Sequence, residues 1–373
     1  MKTRAIDLEA ELARFRDDLP IEEAATPPSS WYTSAEFFEH EKETVFARSW
    51  QYACPLDRVA HPGDYVRVDF HGESYLIVRD ERGQLRAFHN VCRHHAAQLL
   101  EGEGRVERIV CPYHGWTYAL DGALRSAPGM GAMRNFDRAD FGLPRVALEV
   151  FGPLVFLHPG IPASRVGDEL AGLKDRLDEL GLDGLKHVRR RRYPMDCNWK
   201  VFVDNYLDGG YHVAHLHHGL AGQLDMERYT TEVFERYSIQ SCPSNPDATF
   251  HGRDFRERIG GGALYAWIHP NLMLNRYGPI LDANWVVPLG PERCEVVFDY
   301  WFQDDQSDAA RRFIDVSLEA SDDVQQEDVA ISESVQRGVR SSSYDQGRYA
   351  PKVEIGMFHF HRLLAQDLRA GGA

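Results

Sequence analysis

Two short pairs of metal-binding side chains constrain this sequence more than any other feature. Cys92 and His94 form a Cys-x-His pair, and after sixteen further residues Cys111 and His114 form a Cys-x2-His pair. Two thiolates and two imidazoles suit either a structural zinc ion or an iron–sulfur centre with mixed ligands. Zinc sites usually pair cysteine with cysteine and histidine with histidine. Here each pair is mixed, so that each loop can give one ligand to each of two irons, which predicts a Rieske [2Fe–2S] cluster.

Short segments of alternating polarity surround these two pairs. DYVRVDF and SYLIVRD are separated by His71-Gly72, and GPLVFLHPG follows near residue 160. Such segments, bounded by turn residues, are typical of antiparallel strands. Pro112 and Gly115 suit a tight loop whose backbone N–H groups can reach cluster sulfurs. We therefore predict a small antiparallel β domain over residues 45–160.

The rest of the chain predicts an α+β architecture. We expect helices over residues 1–24, 34–48, 166–185, 199–218 and 306–337. We expect strands in 187–196, at LYAWI, LMLNRY and EVVFDYWF, and at VEIGMFHFH before a last helix. The predicted organisation is a helical segment over 1–44 that packs on a catalytic domain over 161–373, whose antiparallel sheet is flanked by helices.

A second candidate metal site lies between residues 198 and 218, which contain four histidines and two aspartates. Two histidines and one carboxylate form the usual non-haem Fe(II) oxygenase site. On an ideal helix His212 and His215 share a side, whereas His212 and His217 lie about 140° apart. A ligand pair five residues apart therefore requires the helix to end or distort near 214–216. For His215 and His218 we favour an ordinary solvated or core role.

The expected third ligand is a carboxylate further along the chain. In the predicted helix 306–337, Glu327 and Asp328 flank the apolar stripe about equally. A carboxylate beside a buried stripe should be paired or bound to metal. Periodicity does not choose between the two residues.

Three segments resemble those of Rieske non-haem iron oxygenase α subunits. CPYHGWTYALDG resembles the second cluster loop, and NWK with DNYLDGGYH and the following His217 resembles the iron-binding segment. The resemblance covers nearly the whole chain. It implies a cluster on Cys92, His94, Cys111 and His114, and a mononuclear Fe(II) on His212, His217 and Asp328. It also implies O2 as co-substrate, NAD(P)H electrons from a flavin-containing reductase with or without a ferredoxin, and a homotrimer.

The sequence departs from this family at the electron-transfer bridge. Many members carry a carboxylate three residues before the first histidine ligand, and here that residue is Gly209. Another subgroup has an acid two residues after that histidine, where this chain has Ala214. Asp204 and Asp208 are the nearby candidates for the bridge.

The closest resemblance within the family is to choline monooxygenases and to glycine betaine and carnitine oxygenases. The matching segments are DNYLDGGYHV, LYAWIHPNLMLNRYGP and EDVAISESVQRG. Methylated ammonium groups are bound by aromatic faces. Tyr265, Trp267 and Tyr277 are the candidate substrate residues, with ordinary core packing as the alternative for each. The alternative activity is ring hydroxylation of an aromatic substrate.

Composition excludes several other classes. The net charge of −15 should repel nucleic acid and anionic membranes. No apolar run approaches the roughly 18 residues of a membrane span, and six sparse cysteines suit a reducing, cytoplasmic location. An electron carrier needs only the cluster domain, whereas more than 200 residues follow it here. About three irons per chain would indicate the enzyme, and two would indicate a carrier or a sensor without the second metal.

Overall fold

The chain was analysed as a computed structural model, which describes residues 6–182, 184–217, 222–245 and 257–371. It divides into two compact units, one comprising residues 47–166 and the other residues 1–46 together with 167–373. The boundaries thus follow residues 46 and 166, close to the predicted boundaries after residues 44 and 160. Among the described residues, no helix combines the length and apolar character that crossing a membrane requires.

The unit formed by residues 47–166, here called the cluster unit, consists of small antiparallel sheets. The first sheet has the strand order Gln51–Pro55, Leu154–His158 and Ala147–Phe151. The second has the order Leu85–His89, Glu73–Arg79, Asp64–Phe70 and Glu103–Arg105. The third has the order Ile109–Val110, Thr117–Tyr118 and Leu124–Ser126. Short 3-10 helices lie at Leu56–Val59, Met130–Ala132 and Arg138–Phe141.

Alternation explains why these segments form strands. In Asp64–Phe70 the side chains of Val66, Val68 and Phe70 are buried, and the intervening residues are more exposed. The core behind the two ligand pairs includes Trp116 and Tyr118, both fully buried. The ligand-bearing loops are therefore supported by a packed aromatic core.

The other unit, here called the catalytic unit, is built on a seven-stranded antiparallel sheet. Its order is Lys186–Met195, Arg293–Phe302, Ile280–Gly290, Leu272–Tyr277, Gly262–Ile268, Tyr237–Pro243 and Thr230–Val233. The helices are Leu8–Ala13, Ser30–Thr33, Ala35–Thr44, Val166–Glu169, Ala171–Glu179, Trp199–Tyr206, Val213–Leu216, Asp308–Val339 and Ile355–Ala370, with 3-10 turns at Phe46–Arg48 and Met226–Arg228. The predicted α+β class, with antiparallel sheets in both parts, is confirmed.

Three predicted elements need correction. The first helix spans only Leu8–Ala13, because the chain then turns toward Pro20. The helix expected over 199–218 is broken by a turn with positive φ at Gly209 and Gly210. The expected strand VEIGMFHFH belongs instead to the helix Ile355–Ala370. In that helix Phe360, Leu364 and Leu368 repeat every fourth residue and are buried, so helical packing outweighs the alternating pattern of FHFH.

Candidate active site

The two loops of the cluster unit that carry the cysteines close in the same way. The N–H groups of Cys92 and Cys111 donate to carbonyls five residues further on, at 2.8 and 2.7 Å. The cysteine carbonyls accept from the N–H groups of Ala96 and Gly115, four residues further on. Both of these residues have positive φ, 58° and 72°. This closure turns each loop back on itself and brings the two ligand pairs together.

The four predicted cluster ligands lie at one end of the cluster unit. Cys92 and Cys111 are buried, whereas His94 is half-buried and His114 is exposed. The two imidazole centroids lie 4.8 Å apart. Within the described residues, Nδ1 of His94 is buried and has no hydrogen-bond partner. A buried ring nitrogen without a partner is what a cluster iron would satisfy, so these residues fit a [2Fe–2S] group.

Tyr118 lies beside the cluster loop. Its hydroxyl oxygen is 3.4 Å from Sγ of Cys92 and accepts a hydrogen bond from the N–H of Arg93 at 3.0 Å. Burial raises the pKa of Tyr118, so the phenol stays protonated and can donate to the sulfur. Such a hydrogen bond to a ligand sulfur adjusts the potential of a bound cluster.

In the catalytic unit, the break after Trp199–Tyr206 positions the second histidine pair. His212 precedes the helix Val213–Leu216, and His217 ends it with φ −100° and ψ 66°. Because the helix stops at Leu216, the two imidazoles turn to the same side, with centroids 4.9 Å apart. A ligand pair five residues apart requires the helix to end or distort near residues 214–216, and here the helix ends at Leu216. His215 is exposed, and His218 lies outside the described residues.

His212, His217 and Asp328 form a group that can hold a metal ion. Each offers one ligand atom, and these atoms lie within 4.8 Å of one another. Asp328, on the helix Asp308–Val339, is held by Asn205, whose Nδ2 donates to Oδ1 at 2.8 Å. Burial lowers the pKa of His217, but its contacts with Asp328 and Glu327 outweigh that effect and the pKa is raised.

A carboxylate lies behind each of the two imidazoles. Oδ2 of Asp208 is 2.7 Å from Nδ1 of His212, and Oε2 of Glu327 is 2.6 Å from Nδ1 of His217. With both Nδ1 atoms engaged, Nε2 of each ring remains for a metal, the usual arrangement around metal-binding histidines. The donor set of two imidazoles and one carboxylate fits a mononuclear iron. Helical periodicity did not distinguish Glu327 from Asp328 as the third ligand. In the structure Asp328 belongs to the group of three ligands, and Glu327 contacts Nδ1 of His217.

The two candidate bridge residues occupy different surroundings. Asp208 contacts His212 and also accepts the backbone N–H groups of Tyr211 and His212. The carboxylate of Asp204 instead accepts from the hydroxyl of Tyr32 at 2.8 Å and lies 2.8 Å from Nε2 of His361. The structure thus brings Asp208, and not Asp204, to the group of three ligands. Ala214 lies in the helix Val213–Leu216.

A cleft adjoins the three ligands, which form part of its lining. Its aromatic lining comprises Phe202, Tyr206, Tyr229, Tyr265, Tyr277 and Phe298. Trp267, also predicted to contact the substrate, does not line this cleft: it is fully buried, its indole N–H donates to the carbonyl of Pro270 at 3.1 Å, and its ring packs 5.3 Å from Phe360. Trp267 follows Tyr265 by two residues, but the helix Ile355–Ala370 covers that end of the sheet face.

The sheet side of the cleft is a row of mostly polar side chains, of which the sequence had suggested only Tyr265. Across adjacent strands Gln240 pairs with Tyr265, Tyr265 with Asn275, Asn275 with Asp282 and Asp282 with Tyr300. The same side of the cleft includes Asn284, and Arg258 lies beside Tyr277. The sequence does contain a signal for this row, because Asn275, Asp282 and Asn284 alternate with apolar residues in otherwise hydrophobic strands.

Comparison with known proteins agrees with this geometry. Residues 49–137 match the Rieske [2Fe–2S] domain, and residues 182–370 match the catalytic domain of ring-hydroxylating α subunits. A chloroplastic choline monooxygenase of Arabidopsis thaliana is 45% identical over 97% of this chain and 87% of its own length. The oxygenase subunit of an Escherichia coli carnitine monooxygenase is 34% identical, over 92% of this chain and 94% of its own.

Comparison with solved structures agrees with these sequence matches. A quaternary ammonium Rieske monooxygenase in complex with L-carnitine has a TM-score of 0.83 and 30% identity, over 95% of this chain and 99% of its own. A Rhodococcus naphthalene 1,2-dioxygenase shares the fold, with a TM-score of 0.81, 20% identity and 98% of each chain covered. The chain therefore belongs to the Rieske non-haem iron oxygenases, which use a [2Fe–2S] cluster and a mononuclear iron.

Proposed function

We propose that this oxygenase hydroxylates or oxidatively demethylates a quaternary ammonium compound such as choline, glycine betaine or a carnitine-like molecule. The observation that carries the proposal is the set of tyrosines, Tyr206, Tyr229, Tyr265 and Tyr277, in the cleft beside the three ligands. Burial raises the pKa of all four hydroxyls, so that the rings remain neutral phenols. Neutral aromatic faces attract a cation that has no N–H groups to donate.

In this proposal the residues around the metal site have three separate roles. His212, His217 and Asp328 would hold the mononuclear iron, which supplies O2 activation when bound. Asp208 and Glu327 fix the orientation of the two imidazoles, and the tyrosines hold the cation so that one C–H bond faces the three ligands.

The overall reaction would combine the substrate, O2, two electrons and two protons to give a hydroxylated carbon and water. Hydroxylation of an N-methyl carbon gives a hemiaminal, which breaks down to formaldehyde and the demethylated amine. Hydroxylation of the alcohol carbon of choline gives the hydrate of betaine aldehyde. The orientation of the cation in the cleft decides between these two products.

Electrons would reach this site from a cluster on Cys92, His94, Cys111 and His114, with Asp208 as the bridge to His212. We propose a homotrimer in which the cluster of one subunit lies next to Asp208 of the next, since closed symmetry gives each catalytic site one donor. A related monooxygenase is described as using inter-subunit electron transfer. A second cleft, lined in part by Asp208, Ile331, Val335 and Tyr344, suits such docking, because the last three of these side chains are apolar and exposed.

A separate flavin-containing reductase, with or without a ferredoxin, would supply the electrons from NAD(P)H. The net charge of −15 suits a partner with a basic docking surface. The sparse cysteines suit a reducing compartment, which supports a cytoplasmic location.

The substrate class is tested by O2 uptake with reductase and NADH present. Choline, glycine betaine, carnitine and simple aromatic acids are compared at equal concentration, and formaldehyde and betaine aldehyde are measured. We expect coupled uptake with at least one quaternary ammonium compound and none with the acids. Coupled uptake with an aromatic acid alone would contradict the substrate proposal and favour ring hydroxylation.

A further inference from the structure

We propose that Asp282 supplies the counter-charge for the ammonium group of the substrate, and that it selects a cation over a neutral molecule of the same shape. The inference rests on the proposed function, because it concerns the ligand of the same cleft. Asp282 lies on the sheet side of that cleft, between Asn275 and Tyr300 in the row of side chains that crosses the strands.

The carboxylate of Asp282 is buried, with 2% of the residue exposed. Among the described residues, its hydrogen-bond donors are all neutral. Oδ1 accepts from the side-chain amides of Asn275 and Asn284, at 2.7 and 2.8 Å. Oδ2 accepts from the hydroxyl of Tyr277 at 2.8 Å. These bonds orient the carboxylate, but they bring no positive charge to it.

A second carboxylate of the same sheet provides a direct comparison. Asp299 is also buried, but it is paired with Arg190 at 2.6 Å and His187 at 2.8 Å. Despite its burial, those contacts lower the pKa of Asp299 to about 2. For Asp282, burial outweighs the hydrogen bonds and raises the pKa. In the described part of the chain no cationic group lies within ion-pair distance of Asp282, so this buried carboxylate lacks the partner that such groups normally have.

Arg258 is the cationic side chain that acts on Asp282 from a distance. Its guanidinium lies over the ring of Tyr277, 5.0 Å from the centroid, and Nη2 is 3.5 Å from the hydroxyl of that residue. The ring and hydroxyl of Tyr277 therefore stand between the two charges, and one face of Tyr277 is taken. The rings of Tyr206, Tyr229 and Tyr265 and the other face of Tyr277 can surround an ammonium group, and Asp282 can balance its charge.

The test compares choline with 3,3-dimethylbutan-1-ol, in which carbon replaces the nitrogen and the charge is lost while the shape is kept. Equilibrium binding of both ligands to the purified holoenzyme is measured by calorimetry. We expect the wild type to prefer choline by more than the roughly thirtyfold that a desolvated cation–π contact alone supplies. Asp282→Asn should cut that preference by about tenfold and leave the contribution of the tyrosines, and Asp282→Glu, which keeps the charge, should retain most of it.

Asp299→Asn is the matched control, because it removes a buried carboxylate of the same sheet outside the cleft. It should lower stability and leave the preference for choline unchanged. Equal binding of the two ligands by the wild type would overturn the inference whether or not Asp282→Asn folds. A folded Asp282→Asn protein with a normal cluster spectrum and an undiminished preference would overturn it too. A preference for choline without quaternary ammonium turnover would instead reject the proposed function and leave this inference standing.

Discussion

The carbonyl oxygen of Val353 occupies the space next to Gly209 in which a side chain would have to fit. A β carbon added to Gly209 would lie 2.1 Å from that oxygen, and the residue has a φ of 72°. Position 209 is where many relatives in this family carry their bridging acid. In this chain no side chain fits there, and the carboxylate that reaches His212 comes from Asp208, one residue earlier.

Gly209→Ala should therefore be strongly destabilising. Left-handed backbone alone costs an alanine about 1–2 kcal/mol, and the contact with a carbonyl oxygen adds to that cost. Gly184→Ala is the matched control, since Gly184 has a φ of 79° and open space around it. Urea unfolding followed by circular dichroism should show the larger loss at 209. Equal losses would mean that backbone conformation alone, and not Val353, requires the glycine.

His217→Ala should remove the mononuclear iron and leave the cluster intact. His217 is buried between Asp328 and Glu327, whereas the nearby His215 is exposed. We expect the His217→Ala protein to fall from about three irons per chain to about two, with an unchanged Rieske EPR signal. His215→Ala should keep all of the iron. Loss of iron from the His215 variant, with retention in the other, would reverse the ligand assignment.

Tyr265 and Trp267 should behave differently, although they are neighbours on one sheet face. Tyr265→Ala removes a wall of the cleft and should raise KM about thirtyfold, because a desolvated cation–π contact contributes about 2 kcal/mol. Trp267→Ala leaves a cavity under the helix Ile355–Ala370 and should cost about 3–5 kcal/mol of stability. Where the Trp267 variant folds, its KM should match the wild type. A large KM effect at Trp267 and none at Tyr265 would contradict this assignment.

Acid should destabilise the catalytic unit through one buried carboxylate, Asp299, and one half-buried carboxylate, Asp367. The pKa values of Asp299 and Asp367 are lowered to about 2, against burial, by contacts with His187 and Arg190 and with His269 and Arg236. A lowered folded-state pKa stabilises the protein fully above the unfolded value near 4, and this stabilisation is lost as the pH falls toward 2. Each group contributes about 2 kcal/mol. Unfolding midpoints measured from pH 5 to pH 2 should therefore fall steeply, and less steeply in Asp299→Asn. An equal slope in that variant would show that Asp299 does not contribute.

Elements with a strong local signal could be predicted from the sequence. The strand Leu272–Tyr277 was predicted with its observed bounds, and the helix Ala35–Thr44 begins after Ser34, whose hydroxyl accepts from the N–H of Phe37. Among the elements that needed correction, the final strand was predicted with the wrong type of secondary structure, because Phe358 and Phe360 alternate locally with polar residues. The burial pattern that makes this segment a helix extends to Leu368 and depends on packing against the sheet.

The site could be predicted only where its residues are neighbours in sequence or match a family segment. His212 and His217 are close along the chain, but their convergence depends on where a four-residue helix stops. The role of Asp282 depends on strand register, since Asn275, Asp282 and Tyr300 meet only when three strands are aligned. Trp267 was predicted to contact the substrate because the alternation of side chains along a strand shows which face a residue is on. It does not show that a helix covers that part of the face.

The most direct test of the central claim is the stoichiometry of O2 consumption with choline and reductase present. If the tyrosine-lined cleft holds a quaternary ammonium substrate next to His212, His217 and Asp328, then one O2 and one NADH should be consumed per aldehyde formed. Asp328→Asn should abolish the consumption of both O2 and NADH during turnover, although the reductase should still reduce its cluster. Consumption of O2 without aldehyde from choline, glycine betaine or carnitine, or unchanged turnover in Asp328→Asn, would contradict the account.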